Sequence, residues 1–145
     1  EPYRRQRQMC IRDRLNVMVK ITINQKECNI VGFVINNHAI SDERDFQNDA
    51  ALVGEAFDMI CNSVSVLSQS VLIGLDEVLK LNCTYEIMDG YLKLDISDFT
   101  KEELNQAQVL LKTFEKSLES VILSLEEMFG KEKRREYIIL EIEEV

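Results

Sequence analysis

Residues 19–24 read VKITIN, with apolar and polar side chains alternating at the two-residue period of a half-buried strand. A polar turn over 24–27 separates them from a second apolar, β-branched run, 28–36 (CNIVGFVIN), so the pair is expected to form an antiparallel hairpin. Residues 37–55 are polar, acidic and irregular, and read as a long loop with at most a short helix after Asp49. From Phe57 to Lys80 the period changes. Phe57, Ile60, Val64, Leu67, Val71, Leu75 and Val78 recur at spacings of three and four, the stripe of an amphipathic helix. Val66 and Ile73 fall on the opposite side, which suggests a helix buried over much of its circumference, and a narrow polar strip (Asp58, Asn62, Ser65, Gln69) runs between the two faces.

Two further apolar runs, 84–88 and 91–96, flank Asp89-Gly90, a dipeptide suited to a type I′ hairpin turn. Thr100-Lys101-Glu102-Glu103 has the form of a capping box. The helix it opens carries Leu104, Leu111, Phe114, Leu118, Val121, Leu125 and Met128 on one face, and Gly130 suits its end. A basic turn (Lys131, Lys133, Arg134, Arg135) leads to a last apolar run, 137–142. The order is β-β-α-β-β-α-(β), without repeats or linkers. That predicts an α+β fold: a single domain with a mostly antiparallel sheet and two long helices. Its sheet edges lack an evident cover, and a homodimer is one way to supply it.

Composition changes this picture little. At 145 residues, 46% apolar and 30% charged, the chain suits one ordinary globular domain. Unbroken apolar runs stop at about four residues, short of the roughly 18 that span a bilayer, so no membrane is expected. The net charge of −9 argues against direct nucleic-acid binding and suits a basic partner or simple solubility. The first fourteen residues (EPYRRQRQMCIRDR) depart from the rest. Five arginines against two acids leave +3 there, so the remaining chain carries −9 less 3, or −12. Without strand or helix period, residues 1–17 are expected to be a non-native or disordered extension, and the domain to occupy 18–145 from Met18. A basic tail that meets a partner is the other reading of the segment.

Cys10, Cys28, Cys61 and Cys83 are scattered, with no CxxC pair, so neither a zinc site nor a disulfide framework is favoured and a reducing cytoplasm is the simplest setting. Imidazole chemistry has one source, His38. On a helix, Asp58, Cys61 and Ser65 fall within about a 60° arc. With Asp58 as N-cap, Cys61 takes the third helical position, where the helix dipole and unpaired N–H groups favour a thiolate. It also borders the polar strip, anchored on one side and reachable on the other. His38, at the end of the second strand, is the available base. Blander readings stand beside these: a helix cysteine is more often an inert small hydrophobe, a loop histidine more often solvated, and Asp58 a cap and no more.

Asn37-His38-Ala39 and Asp58-Met59-Ile60-Cys61-Asn62-Ser63-Val64-Ser65 together resemble the ribosomal-processing cysteine proteases (Prp), whose members show Gly-His-Ala after a short hairpin and then a helix opening with a segment like Asp-Ile-Val-Cys-Ala-Ala-Val-Ser. Leu67-Ser68-Gln69, Gly74-Leu75 and Asp89-Gly90-Tyr91-Leu92 extend the likeness from about Met18 to the C-terminus. The resemblance implies Cys61 as nucleophile and His38 as general base, with Asp58 and Ser65 shaping the site or orienting the pair. It implies a cytoplasmic homodimer, without cofactor or metal, that removes a short N-terminal extension from a basic bacterial large-subunit ribosomal protein. Two departures matter. Asn37 stands where the family has glycine, the best-tolerated substitute at a position of positive φ. The stretch between His38 and Cys61 also carries an insertion of about eleven residues within 40–56, which a fold tolerates cheaply. Its residues Ile40, Ser41, Asp42, Asp45 and Asp49 are expected to form a lid over the cleft, or to disable it.

Three other functions remain on the sequence. The first is a catalytically inactive dimeric module that binds a basic ribosomal partner. A thiol redox protein is disfavoured by the lack of a second cysteine near Cys61 in sequence. A metal-dependent hydrolase is disfavoured by the single histidine.

Overall fold

A computed structural model of the chain describes residues 17–39, 46–88 and 90–145, with side chains over 18–36, 59–88 and 90–145. The extension 1–16, the expected lid residues Ile40, Ser41, Asp42 and Asp45, and Asp89 of the second hairpin turn lie outside the described residues.

Five strands form one sheet in the order β3-β4-β2-β1-β5. β1 (Val17–Lys26) and β2 (Asn29–Ala39) form the first hairpin, with β1 between β2 and the last strand, β5 (Ile138–Glu144). The β1–β2, β2–β4 and β3–β4 pairings are antiparallel, whereas β5 runs parallel to β1. β3 (Thr84–Met88) and β4 (Tyr91–Asp95) form the second hairpin. The helices are α1 (Phe46–Ile73), α2 (Lys101–Phe129) and the short α3 (Lys131–Tyr137). The α+β class and the mostly antiparallel sheet agree with the reading of the sequence.

Alternation works as expected in β1, where Val19, Ile21 and Ile23 are buried. The helices pack on that core; Phe33 of β2 meets Phe114 of α2 with ring centroids 4.6 Å apart. The Thr100 capping box is complete. Glu103 N–H donates to Thr100 Oγ1 at 3.2 Å, and Thr100 N–H donates to Glu103 Oε1 at 2.9 Å. Gly130, at φ 87°, lets α2 end and α3 begin without a linker.

Several boundaries differ from the sequence reading. The first turn is Glu27-Cys28, not 24–27, and both residues adopt positive φ (51° and 69°). Cys28 is therefore a turn residue. Neither residue type is suited to a two-residue turn of this hand, where Asn-Gly is preferred. Replacing the pair by Asn-Gly is expected to stabilise the chain by about 1 kcal/mol, seen as a rise of roughly 3 °C in thermal unfolding. An unchanged or lower midpoint would refute it.

The largest difference is α1, which begins at Phe46, inside the stretch read as loop. Asn48 and Asp49 gave that stretch its loop character, but Ala50, Ala51, Leu52, Glu55 and Ala56 are strong helix formers. Asp49 is accordingly a helical residue, and its side chain lies outside the described residues. At the other end, α1 passes into a π-helical turn, Gly74–Val78, closed by Leu79 N–H donating to Gly74 O, and Lys80 then leaves at φ 56°. Val78, expected in the buried stripe, is 73% exposed, and Val66 and Ile73 also face solvent. By length and composition the stretch Met59–Val78 could cross a membrane, which counting unbroken apolar runs overlooked; half of it is buried inside the fold, as in the core helix of a globular domain. The expected basic turn is the helix α3, held to α2 by Arg134, which donates from Nε and Nη2 to Glu126 Oε1 (3.0 and 2.8 Å).

Candidate active site

The candidate nucleophile lies on α1. Ile60, Cys61, Val64, Ser65, Ser68, Val71, Leu72 and Leu75 make the buried face of this helix and its π turn. Their arc faces the hydrophobic core, and Cys61 belongs to that core cluster at 3% exposure. Its thiol is free of any disulfide. The sequence placed Cys61 on the border of a polar strip. Instead it is inside, because the strip starts one position further round: Asn62 is exposed and Gln69 half-buried, whereas Ser65 is 3% exposed. Cys61 and Ser65 therefore share a buried face one helical turn apart, in line with Ser68, whose Oγ donates to the Ser65 carbonyl at 3.1 Å.

Asp58 does not cap α1. The helix starts twelve residues before it, so the helix-end rationale for a thiolate at Cys61 does not hold in this conformation. The dipole effect fades within the first turn, and Cys61 is four turns in.

Asn37 and His38 occupy the last turnings of β2, in register with Val19 and Met18 of β1. The side chains of Asn37, His38 and Asp58 lie outside the described residues. The structure thus puts His38 at a strand end on the rigid hairpin and Cys61 on the helix that follows in sequence.

Gln108 is a structural residue that the reading of the sequence passes over. Buried on α2, it treats β2 as a neighbouring strand would: Ile30 N–H donates to Gln108 Oε1 at 2.8 Å, and Gln108 Nε2 donates back to Ile30 O at 2.9 Å. This pair of hydrogen bonds ties α2 to the turn end of the first hairpin, the end away from His38. A glutamine within an otherwise apolar stripe (Leu104, Gln108, Leu111) was the available signal.

A groove between α1 and α2, of about 240 Å³, is lined by Met59, Ile60, Ser63, Ser120, Leu125 and Met128. On α1 its wall centres on Met59 and Ser63, more than 100° around the helix from Cys61 at about 100° per residue. It does not reach the thiol.

Cys83 offers a contrast with a reactive thiol. Its Sγ donates to Asp76 Oδ1 at 2.9 Å, and burial, then this bond and the Asp76 charge, push the thiol up to about 12. Iodoacetamide is expected to modify Cys83 far more slowly than the exposed Cys28 at every pH below about 10, and Asp76→Asn to narrow the gap. Equal rates in the unmodified chain, read by peptide mass spectrometry, would contradict this. Among the described residues no group of three or more His, Cys, Asp or Glu side chains is placed to hold a metal ion.

No curated protein matches the sequence. Two solved structures share the fold. One is SMU.848 from Streptococcus mutans (TM-score 0.57, 22% identity), and the other an essential ribosomal processing protease Prp from S. aureus in complex with a substrate peptide (TM-score 0.55, 17% identity). Each alignment covers 88% of this chain and 99% of the other. The family described as cysteine protease Prp matches residues 18–130, spanning both hairpins, α1 and α2 with Cys61 and His38 inside it, and the chain belongs to that family.

Proposed function

We propose that the chain is a cytoplasmic cysteine endopeptidase that removes a short N-terminal extension from a bacterial large-subunit ribosomal protein. The observation that carries this reading is Cys61 on α1, within the span matched by the Prp family and preceded by Asn37-His38-Ala39 at the end of β2. The relative from S. aureus, described as a ribosomal processing protease bound to a substrate peptide, supports a ribosomal substrate.

In the proposed reaction His38 takes the proton of the Cys61 thiol, and the thiolate adds to the scissile carbonyl. The C–N bond breaks as His38 returns the proton to the leaving amine. Water, deprotonated by His38, then hydrolyses the thioester and restores the thiol. Ser65, one turn from Cys61 and buried, and Asp58 are proposed to orient this pair. The −12 of the domain favours encounter with a basic substrate by electrostatic steering. A homodimer fits the uncovered β3 edge, where Tyr85 and Met88 are exposed.

One observation favours a second reading, a catalytically inactive module binding a basic ribosomal partner: Cys61 is 3% exposed. Incubating the chain from Met18 with such a ribosomal protein, and reading its mass, separates the two. Cleavage by the unmodified chain that is lost in Cys61→Ala and in His38→Ala supports the protease. Cleavage that persists in Cys61→Ala refutes the assignment. Tight binding without any cut favours the module.

A further inference from the structure

We infer that the free edge of β5 docks an extended peptide in which basic and apolar residues alternate, the peptide adding to the sheet as a further strand. The inference rests on the protease reading only for the source of that peptide, a segment of the basic substrate. The binding itself is independent of Cys61.

Among the described residues β5 ends the sheet, with β1 as its one neighbouring strand. Glu141, Ile142, Glu143 and Glu144 are exposed, Ile142 at 51%. Half of the backbone groups there are used by β1. Val145 N–H donates to Gln25 O at 3.0 Å, so Val145 turns its backbone toward β1. Direction alternates along a strand, so Glu141 and Glu143 also face β1, whereas Ile138, Leu140, Ile142 and Glu144 point their N–H and C=O groups outward. Ile138 bears this out. Its N–H donates to Arg134 O and its carbonyl accepts from Arg134 Nη1 at 3.3 Å, both in α3. The short helix therefore closes the edge at Ile138. From Leu140 onward the outward groups meet no further strand, and they recur about 6.6 Å apart, the spacing at which an added strand presents its own.

The side chains say which strand fits. Leu140 and Ile142 stand opposite Ile21 and Ile23, on the face that bears the helices. Glu141 and Glu143 stand opposite Thr22 and Asn24 on the other face, where Lys20 reaches Glu141 at 3.4 Å. An added strand thus meets a carboxylate, an isoleucine and a second carboxylate in turn. Charge complementarity calls for Lys or Arg beside Glu141 and Glu143, with an apolar side chain beside Ile142. A second copy of this chain is the wrong occupant, because β5 against β5 sets glutamates opposite glutamates. The edge also leads toward the candidate site. Glu143 is level with Asn24, and six residues along β1 Met18 is level with His38. A basic stretch docked at Glu143 lies about 20 Å along the sheet from that end, at about 3.3 Å per residue.

The probe is a fluorescein-labelled peptide of alternating Lys and Val, about eight residues long, titrated with the full chain at low salt and read by fluorescence anisotropy. Ile142→Pro removes one outward N–H and no bond to β1, a change that an edge strand tolerates. It is expected to weaken binding at least about tenfold while the thermal midpoint moves by only a few degrees. Glu141→Lys/Glu143→Lys is expected to weaken binding by about the same factor. Glu119→Lys/Glu127→Lys, at exposed positions of α2, changes the net charge equally and is expected to bind within about twofold of the unmodified chain. The same residues rearranged as a Lys block followed by a Val block are expected to bind at least about fivefold more weakly than the alternating probe.

Unchanged affinity in Ile142→Pro would overturn the proposal, because strand addition needs that N–H. An equal loss in the α2 pair and the β5 pair would also overturn it, leaving attraction by net charge alone. If Ile142→Pro unfolds the chain, the unmodified chain is titrated with the fully N-methylated probe, which keeps its charge and has no backbone N–H to donate; binding as tight as before then overturns the proposal. Cleavage does not enter these titrations, so the two readings fail separately. Binding as expected by a chain that cuts nothing counts against the protease, and cleavage by a chain whose variants all bind alike counts against the edge.

Discussion

Under the proposed assignment Cys61→Ala is expected to lower kcat for trimming of the ribosomal extension by about 10⁴-fold or more, with little change in KM. The thiolate is the group that forms the covalent bond, so its loss removes the pathway and leaves only background hydrolysis by an ordered site. His38→Ala is expected to lose a comparable factor, since the two act as one unit, and Cys61→Ala/His38→Ala together should lose scarcely more than either alone. That non-additivity is the sharper measurement. Two residues that merely supported the fold would instead add their effects. Stability must be read alongside, because Cys61 is part of the core. Removing one sulfur from a buried position costs about 1 kcal/mol, so the unfolding midpoint should move by only a few degrees. A variant that unfolds below the assay temperature would say nothing about chemistry, whereas a folded Cys61→Ala chain with undiminished activity would remove Cys61 from the mechanism.

What could be read from the sequence was what neighbouring residues settle among themselves. The alternation in β1, the Thr100-Glu103 box and the stripe of α2 are local patterns, and each appears in the structure near its expected place. The start of α1 was not legible, because Asn48 and Asp49 argue for a loop while Ala50, Ala51 and Leu52 argue for a helix, and local propensity does not decide between them. That single ambiguity changed the site. It moved Asp58 from a helix end to a helix interior, and with it the reason for expecting a reactive Cys61 in the free chain. The burial of Ser65 was hidden for a different cause: the apolar stripe defines the centre of the buried face, but its width depends on what packs against it. The tie between Gln108 and Ile30, 78 residues apart, and the parallel pairing of β5 with β1 belong to tertiary structure and have no local signature.

Gly32→Ala is expected to be the most damaging single-atom change in the sheet, lowering stability by about 3 kcal/mol and the unfolding midpoint by roughly 10 °C. Gly32 lies in β2 opposite Asn24 on one side and Asp95 on the other, where the register of β1 shifts between Asn24 and Gln25. On its other side β2 lies so close to β4 that an added Cβ would overlap the Leu94 carbonyl oxygen, and would sit 3.2 Å from Leu94 C and 3.3 Å from Asp95 Cα. All three atoms are backbone, and Leu94 is itself fully buried, so nothing nearby can swing aside. Relief requires β4 to separate from β2, at the cost of ladder bonds and of the Ile96 N–H to Val31 O bond at 2.8 Å. Gly74 is the control for this reasoning. A Cβ there would also crowd its neighbours, at 2.7 and 2.9 Å, but these are the terminal methyls of Leu110, which a rotamer change can move. Gly74→Ala also gains helix propensity, so its midpoint should fall by only a few degrees, or not at all. Thermal melts of the two variants side by side test the distinction between a rigid obstacle and a soft one. Equal shifts at Gly32 and Gly74 would show that the β2–β4 approach yields as easily as a leucine side chain.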